Sequence, residues 1–158
     1  MIRIAIEEDI SRILEIEQDT ISPPWPHGAL LSEIYRDDSY FAVWDTGTVP
    51  PSHEVKAPPV LGFVILRRLA DEGELFQIAV DASYRRRGFA DELMEAALDW
   101  AGNRNINSIY LEVRKSNEAA IALYAKHGFM QVGLRKEYFT EPCEDAIIMV
   151  NAELGIRG

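Results

Sequence analysis

The sequence predicts an α/β protein in which helices cover one mixed β-sheet. Short runs with apolar residues at every second position recur along the chain, separated by stretches whose apolar residues have helical spacing. These patterns give the element order βααβββαβαββ, with about seven strands and four helices. Strands that alternate with helices in this way form a layered sheet. The length of 158 residues is typical of one domain, which we expect to span residues 1–158.

The first half of the chain places two helices between strands. Ile10, Ile13 and Leu14 stand at helical spacing after the opening strand, and prolines interrupt residues 21–27. The predicted elements are a strand over 1–6, helices to about residue 18 and over 28–36, and strands near 40–44 and 60–68. The stretch Asp45–Pro59 holds four prolines and few large apolar residues, which indicates an inserted hairpin loop within the domain.

The second half begins with a predicted strand near 74–80 and a helix over about 88–102. On this helix Phe89, Leu93, Ala97 and Trp100 form an apolar stripe, which is expected to face the sheet.

The chain continues with a predicted strand over 108–114, a helix over about 117–127 and strands near 129–138 and 145–153. Ile109, Leu111 and Val113 alternate along the first of these strands and are expected to face one side of the sheet. Asn117, or its neighbour Ser116, can cap the following helix.

Composition excludes several classes of function. The formal net charge of −10 argues against general nucleic-acid binding, because that binding depends on Lys and Arg neutralising phosphates. The single cysteine, Cys143, cannot form an intrachain disulfide or a cysteine-based zinc site, and we expect no metal. The N-terminus turns acidic too early for a signal peptide, and no apolar run approaches the length of a membrane span. We therefore expect a cytoplasmic protein without membrane contact.

The run Arg85–Ala90 (RRRGFA) connects a predicted strand to a predicted helix. Backbone N–H groups at a helix start are unpaired and, together with the helix dipole, favour an anion. Gly88 has no side chain to obstruct a phosphate, and the three arginines add positive charge. The run alone is equally consistent with a capped helix bordered by a solvated basic edge.

In its context, Arg85–Ala90 fits the pattern Q/R-x-x-G-x-G/A and resembles the acetyl-CoA signature of the GNAT superfamily of N-acetyltransferases. Further stretches resemble the RimI branch of that superfamily, namely Ile78–Asp81 (IAVD), Leu111–Arg114 (LEVR), Asn117–Tyr124 (NEAAIALY) and Glu144–Met149 (EDAIIM). The resemblance covers nearly the whole chain and is dense from about residue 75 to residue 150. It departs at Asp45–Pro59 and at Ala90, where alanine is an accepted alternative to glycine.

The resemblance implies a GNAT fold with a mostly antiparallel sheet, and acetyl-CoA as a cosubstrate without a metal. The residues implied to contact acetyl-CoA are Ile78, Ala79 and Val80 along the pantetheine arm, Arg85, Arg86, Arg87, Gly88, Phe89, Ala90 and Asp91 around the pyrophosphate, and Asn117 at the next helix. Asn117 can also be a plain helix cap, and the two roles are compatible.

The resemblance also implies direct acetyl transfer with Glu112 as general base and Tyr124 as general acid. Glu112 lies mid-strand opposite the apolar residues, where a carboxylate is unusual unless it is exposed or used. Its position is equally consistent with a solvated side chain or an ion pair with Arg114. Tyr124 has a phenol with an ordinary pKa of about 10, near that of a thiol, but it can instead pack on the inner face of its helix.

The RimI branch acetylates the N-terminal alanine of a small-subunit ribosomal protein. The resemblance therefore implies, as partner of a monomer or weak dimer, the N-terminus of a basic ribosomal protein or a similar peptide. An acidic chain suits such a partner, although acidity also serves solubility alone. Trp25, Tyr138 and Phe139 are implied to line the peptide channel, although Trp25 can simply anchor its loop.

Two alternatives stay open. One is a GNAT enzyme that acts on another peptide N-terminus or a small amine, and the other is a non-enzymatic module that binds acetyl-CoA or a partner. His127, just before a glycine, is more typical of a helix end than of a base. Glu33, Glu141 and Glu144 are acidic residues that can attract a basic acceptor tail.

Overall fold

The structure, a computed structural model, describes residues 1–21, 23–47 and 59–154. Its strands are β1 (Ile2–Ile4), β2 (Ser39–Asp45), β3 (Val60–Leu69), β4 (Glu72–Val80), β5 (Ser108–Arg114), β6 (Met130–Thr140) and β7 (Cys143–Asn151). Its helices are α1 (Ile10–Thr20), α2 (His27–Ile34), α3 (Phe89–Gly102) and α4 (Glu118–Lys126). The order βααβββαβαββ is confirmed. Most of the predicted insertion, residues 48–58, lies outside the described residues.

The described strands form one seven-stranded sheet in the order β1-β2-β3-β4-β5-β7-β6. Every neighbouring pair is antiparallel except β4 and β5, which run parallel. The parallel pair arises because α3 carries the chain back to the starting end of the sheet before β5 begins. The predicted mixed, mostly antiparallel sheet is therefore confirmed.

The parallel strands β4 and β5 pair over a short distance only. Residues 72–74 lie opposite residues 108–110, and the described part of the chain contains no further pairs between the two strands. A bulge at Phe76 inserts one extra residue into β4 against β3. Such a bulge bends its strand and increases the local twist, which accounts for the separation from β5. The space between the strands beyond Glu74 is called the β4–β5 gap below.

The sheet separates two apolar layers. The larger layer, the α3/α4 face, includes Leu93 and Leu98 of α3, Tyr124 of α4 and Leu111 of β5. The other layer, the α1/α2 face, includes Ile13 and Ile16 of α1, Leu30 of α2 and Phe63 of β3. Within the described residues, no helix is both long enough and apolar enough to cross a membrane.

The apolar stripe on α3 is broader than the predicted one. The buried residues of α3 are Leu93, Met94, Ala97, Leu98 and Ala101. Phe89 and Trp100 are half-buried and pack against the same core, so all four residues of the predicted stripe face the sheet. Each of those rings packs against a β2 ring, with centroid distances of 4.3 Å from Phe89 to Trp44 and 5.6 Å from Trp100 to Tyr40.

The predicted strand near residues 74–80 is confirmed, and it does not lead directly into Gly88. β4 ends at Val80, and a short 3-10 turn over Ala82–Tyr84 follows. Asp81 starts this turn by accepting a hydrogen bond from the Ser83 backbone N–H at 2.8 Å, and its other oxygen pairs with Arg12 of α1. A local side-chain cap therefore ends β4 before the arginines are reached.

Candidate active site

The turn before α3 has the backbone geometry of an anion site. Gly88 is the N-cap residue of α3 with φ of +85°, and Arg86 is also left-handed at +62°. Such angles are natural for glycine and costly for residues with side chains. A Cβ added at Gly88 would meet no described atom within 4 Å, and no described side chain caps the first turn of α3. Backbone N–H groups there remain available beside three exposed arginines.

The two carboxylates in the first turn of α3, Asp91 and Glu92, both bind other side chains of the protein. Asp91 lies 2.7 Å from His127 Nε2 and 3.1 Å from Lys126 Nζ at the end of α4. The hydrogen bond with His127 is the main cause that lowers the pKa of Asp91. Glu92 accepts a hydrogen bond from Trp44 Nε1 at 2.6 Å. Asp91 can therefore contribute its backbone to the turn while its charge is balanced by α4, where His127 is the C-cap residue, as predicted.

The backbone of β4 is open beside the β4–β5 gap. Ile78, Ala79 and Val80 pair with β3 on one edge. Their other edge lies beyond the last residues that pair with β5 in the described chain. An extended arm with N–H and C=O groups could pair there as an added strand does. This edge fits the pantetheine contacts expected from the sequence.

Asn117 caps α4. Its Oδ1 accepts a hydrogen bond from the Ala120 backbone N–H at 3.1 Å, which confirms the predicted cap. Because α4 begins directly after β5, this cap fixes the position of Tyr124 relative to that strand.

Glu112 faces a cavity of about 230 Å³ on the α1/α2 face of the sheet. The cavity is lined by Leu69, Glu72, Gly73, Glu74, Tyr110, Leu111, Glu112, Arg135 and Ile148. The side chain of Glu112 lies opposite buried Leu111 and Val113 in the strand alternation, as predicted. Its carboxylate is 3.4 Å from Arg135 Nε, and a hydrogen bond to it is the main cause that raises the pKa of the Tyr138 phenol.

A second carboxylate, that of Glu74, shares this cavity. Glu74 of β4 lies opposite Tyr110 of β5 in the parallel register. Tyr110 precedes Glu112 by two residues on the same strand. Burial, and then the negative charge of Glu112, raise the pKa of Glu74 above its ordinary value. The cavity therefore concentrates negative charge next to the point where β4 and β5 separate.

Arg114 has a different environment from that of Glu112. Its guanidinium lies 3.4 Å from Glu144 Oε1 and stacks 4.4 Å from the ring centroid of Phe139. Glu112 forms its ion pair with Arg135 of β6. Arg114, the alternative partner that the sequence offered, instead binds Glu144 of β7 and the backbone carbonyl of Pro142 in the β6–β7 turn.

Tyr124 lies on the α3/α4 face, opposite Glu112 across β5. It is 9% exposed, and its ring centroid is 5.8 Å from that of Phe129. Burial raises the pKa of Tyr124 to about 12, because a phenolate would lose its hydration. The phenol therefore stays protonated and has a proton to donate, but burial makes it a weaker acid than an exposed tyrosine.

Of the three residues predicted to line a peptide channel, Tyr138 and Phe139 lie together, with ring centroids 5.1 Å apart, and Trp25 lies elsewhere. Tyr138 lies beside Glu112, whereas Phe139 stacks under Arg114. Trp25 packs against Phe76 with a centroid distance of 5.5 Å and lines a second cavity of about 400 Å³ between α2 and β3.

Glu33 and Glu144 do not fit the suggestion that they attract a basic acceptor. Glu33 is 1% exposed and accepts a hydrogen bond from Arg67 Nε at 2.9 Å. Glu144 pairs with Arg114 and accepts from the Ser116 backbone N–H at 2.6 Å. Both charges are already balanced within the fold.

Sequence reasoning missed Glu74 and Arg135 as members of the Glu112 cavity. Arg135 reaches it because β6 forms a hairpin with β7, which itself pairs with β5. For Glu74 the signal was a carboxylate on a strand that also carries Leu75, Phe76 and Ile78. In the described residues, no group of three or more His, Cys, Asp or Glu side chains is arranged to hold a metal ion.

Known proteins share this architecture. The chain is 45% identical over 143 residues to the ribosomal protein bS18-alanine N-acetyltransferase of Escherichia coli strain K12, covering 89% of each chain. It superposes on the crystal structure of the ribosomal-protein-S18-alanine N-acetyltransferase from Escherichia coli with a TM-score of 0.79 and 32% identity, covering 95% of this chain and 91% of the other. Arabidopsis thaliana NAA60 in complex with acetyl-CoA shares the fold alone, with a TM-score of 0.80 and 18% identity over 95% and 96% of the two chains.

The family match includes α1, the turn before α3, β5 and α4. Residues 10–129 match the Acetyltransferase (GNAT) family, which covers every element that borders the β4–β5 gap except β6 and β7. The chain is therefore an acyltransferase and belongs to the GNAT family of acetyltransferases.

Proposed function

We propose that this enzyme transfers the acetyl group of acetyl-CoA to the α-amine of an N-terminal alanine on a ribosomal protein of the bS18 type. The observation that carries the proposal is the carboxylate-lined cavity around Glu112, on the sheet face opposite Tyr124. The amine of the acceptor could enter the β4–β5 gap from the α1/α2 face, where Glu112 lies, and the thioester of acetyl-CoA from the α3/α4 face, where Tyr124 lies. The acceptor is proposed from the name of the Escherichia coli relative, which covers most of both chains.

The cosubstrate acetyl-CoA supplies the activated acetyl group. Of the residues that would hold it, Gly88 and its neighbours offer backbone N–H groups to the pyrophosphate, and the arginines add charge. The open edge of Ile78–Val80 would pair with the pantetheine arm. Backbone N–H groups near Val80 would also polarise the thioester carbonyl.

Glu112 would accept the proton of the attacking amine. An α-amine has an ordinary pKa of about 7.7–8.0, whereas lysine has one of about 10.4. An α-amine is therefore partly neutral near neutral pH, and a carboxylate base, directly or through water, suffices to complete deprotonation. Glu74 adds negative charge to the same cavity, which favours the entry of the protonated amine before it loses its proton.

Tyr124 would return a proton to the leaving sulfur. Its burial keeps the phenol protonated throughout the physiological pH range. Its position on the α3/α4 face separates the proton donor from the proton acceptor Glu112 by the thickness of the sheet. Because of this separation, Glu112 could accept the proton of the amine on one face while Tyr124 donates a proton to the sulfur on the other.

The acceptor is tested by incubating the enzyme with acetyl-CoA and peptides that begin with Ala, Ser or Met, beside a polyamine. Mass spectrometry should find acetylation at the α-amine, strongest for the Ala peptide. Acetylation of the polyamine alone would replace the proposed acceptor with a small amine, and no transfer to any peptide N-terminus would refute the proposal.

The base is tested with Glu112→Gln, which keeps the shape of the side chain. It should lower kcat/KM for the Ala peptide by about 100-fold, the usual contribution of a general base. Glu95→Gln, at an exposed position of α3, serves as the charge-matched control and should keep the rate. An equal loss in both variants would mean that net charge, and not proton transfer, is responsible.

A further inference from the structure

Strand β6 bulges away from β7 next to the Glu112 cavity. Residues 135 and 139 of β6 lie opposite residues 146 and 144 of β7. Residues 136–138, called the β6 bulge below, therefore lie opposite Asp145 alone, and β6 has two more residues here than a regular antiparallel pair contains. Glu137, in the middle of the bulge, has a left-handed backbone with φ of +53°. This conformation is costly for a residue with a side chain and needs a contact that stabilises it.

Asp145 supplies that contact. Its Oδ1 accepts a hydrogen bond from the Glu137 backbone N–H at 2.8 Å. Its own backbone carbonyl accepts a hydrogen bond from the Lys115 N–H at 3.1 Å, directly after β5 ends. Asp145 therefore ties the β6 bulge to the strand that carries Glu112. It belongs to the stretch Glu144–Met149, which takes no part in the proton transfers proposed above.

The β6 bulge places Tyr138 on the same side of the sheet as Arg135. In a regular strand, residues three positions apart point to opposite faces. Arg135 lines the Glu112 cavity, and its guanidinium carbon lies 5.6 Å from the ring centroid of Tyr138. Arg135 Nε is also 3.4 Å from Glu112 Oε1, and the Tyr138 phenol donates a hydrogen bond to the same carboxylate. Without the bulge, the phenol would point to the other face of the sheet.

We infer that Asp145 is a positioning residue for Glu112, because it holds the β6 bulge that brings the Tyr138 phenol to the Glu112 carboxylate. The inference rests on the proposed function, in which Glu112 accepts the proton of the amine. A glutamate side chain rotates about several torsions and can accept a proton on either oxygen. Contacts from Arg135 and Tyr138 hold the carboxylate beside the β4–β5 gap, as a catalytic group needs to be held. Asp145 contributes to the rate only through these contacts.

Asp145→Ala removes the hydrogen-bond acceptor and should release the β6 bulge. It should lower kcat for the Ala peptide by about 10-fold, because a small displacement of a catalytic group lowers rates by this much or more. KM for acetyl-CoA should stay at its wild-type value, since the turn before α3 is built from other residues. Asp145→Asn is the matched control and should keep the wild-type kcat. It loses the same charge but retains an oxygen that can accept from the Glu137 N–H.

Glu137→Gly distinguishes a role through the β6 bulge from a general loss of stability. Glycine adopts the left-handed conformation without support from Asp145. The double variant Asp145→Ala/Glu137→Gly should therefore recover most of the kcat that Asp145→Ala loses, and Glu137→Gly alone should match the wild type. A folded double variant as slow as Asp145→Ala would overturn the inference, as would a wild-type kcat in Asp145→Ala. Should Asp145→Ala not fold, a double variant with the wild-type kcat supports the inference, and a slow or unfolded one overturns it.

The titration of the Tyr138 phenol measures the same contact without any acetyl transfer. The hydrogen bond to Glu112 is the main cause that raises the pKa of Tyr138. Asp145→Ala should separate the two groups, so the phenol should titrate at a lower pH, and Glu137→Gly should reverse this change. Ultraviolet absorbance of the phenolate follows the titration, and Tyr138→Phe identifies its signal among the other tyrosines. An unchanged titration in Asp145→Ala would overturn the inference, whereas failure of the wild type to acetylate any peptide would instead refute the proposed function.

Discussion

The turn Arg85–Asp91 and the cavity around Glu112 are two halves of one site built in opposite ways. The turn is exposed, and its binding groups are backbone N–H groups arranged by the left-handed angles of Arg86 and Gly88. The cavity is a set of side chains drawn from β3, β4, β5, β6 and β7. A turn built from consecutive residues leaves a pattern in the sequence, whereas a cavity built from five strands does not. The two halves should therefore respond differently to substitution.

The largest expected effect is on catalysis by the buried side chains. Tyr124→Phe removes the phenol proton and should lower kcat by about 100-fold or more, as expected for loss of a general acid. The dissociation constant of acetyl-CoA, measured by calorimetry, should not change.

Tyr40→Phe is the control, because Tyr40 is a half-buried tyrosine whose pKa is also raised by burial, on β2 away from the gap. The Tyr40→Phe variant should have the kcat of the wild type. Unchanged turnover in Tyr124→Phe would remove the proton donor from the proposed mechanism.

The second effect concerns stability at alkaline pH. The folded-state pKa of Tyr124, about 12, lies above the unfolded value near 10, so its stabilising contribution is complete below pH 10 and is lost as pH rises toward 12. The difference in unfolding free energy between wild type and Tyr124→Phe should change by roughly 2 kcal/mol between about pH 9 and pH 11.5, with the wild type losing more. Urea unfolding across this range measures it, and a difference that is independent of pH would contradict the burial of the phenol.

The smallest effect is expected at the turn. Gly88→Val forces a β-branched residue into a left-handed conformation, which costs roughly 1–2 kcal/mol and should weaken acetyl-CoA binding by about 10-fold. The kcat of Gly88→Val at saturating acetyl-CoA should equal that of the wild type.

Gly28→Ala is the control for this change, since Gly28 lies in α2 and an added Cβ there meets no described atom within 4 Å. It should stabilise α2 slightly and leave acetyl-CoA affinity unchanged. If the two glycine variants bind acetyl-CoA equally well, the turn is not the pyrophosphate site.

The order of elements followed from the sequence because hydrophobic periodicity is local. Ile109, Leu111 and Val113 alternate in the sequence and face the core in the structure, and Asn117 caps its helix as predicted. The ring partners of Phe89 and Trp100 could not be predicted, because they lie on β2, about 45 to 60 residues away in the chain.

Only part of the site could be predicted from the sequence, for the same reason. Glu112 was singled out by its place in a strand, but its partners Arg135 and Glu74 come from separate strands, and nothing local in the sequence joins them. The bulge at Phe76 also leaves no distinct residue pattern, since it contains neither glycine nor proline. Tertiary pairing decides such features, and residue spacing alone does not reveal them.

The bulge at Phe76 also sets the parity of β4. Before it, the odd-numbered residues Gly73 and Leu75 face the α3/α4 layer, and after it the even-numbered Ile78 and Val80 do so. Removing a single residue from this strand would exchange the sides of everything downstream, turning Ala79 toward the wrong layer. The length of β4 is therefore constrained to the residue, so the chain can tolerate many substitutions there but not a one-residue insertion or deletion.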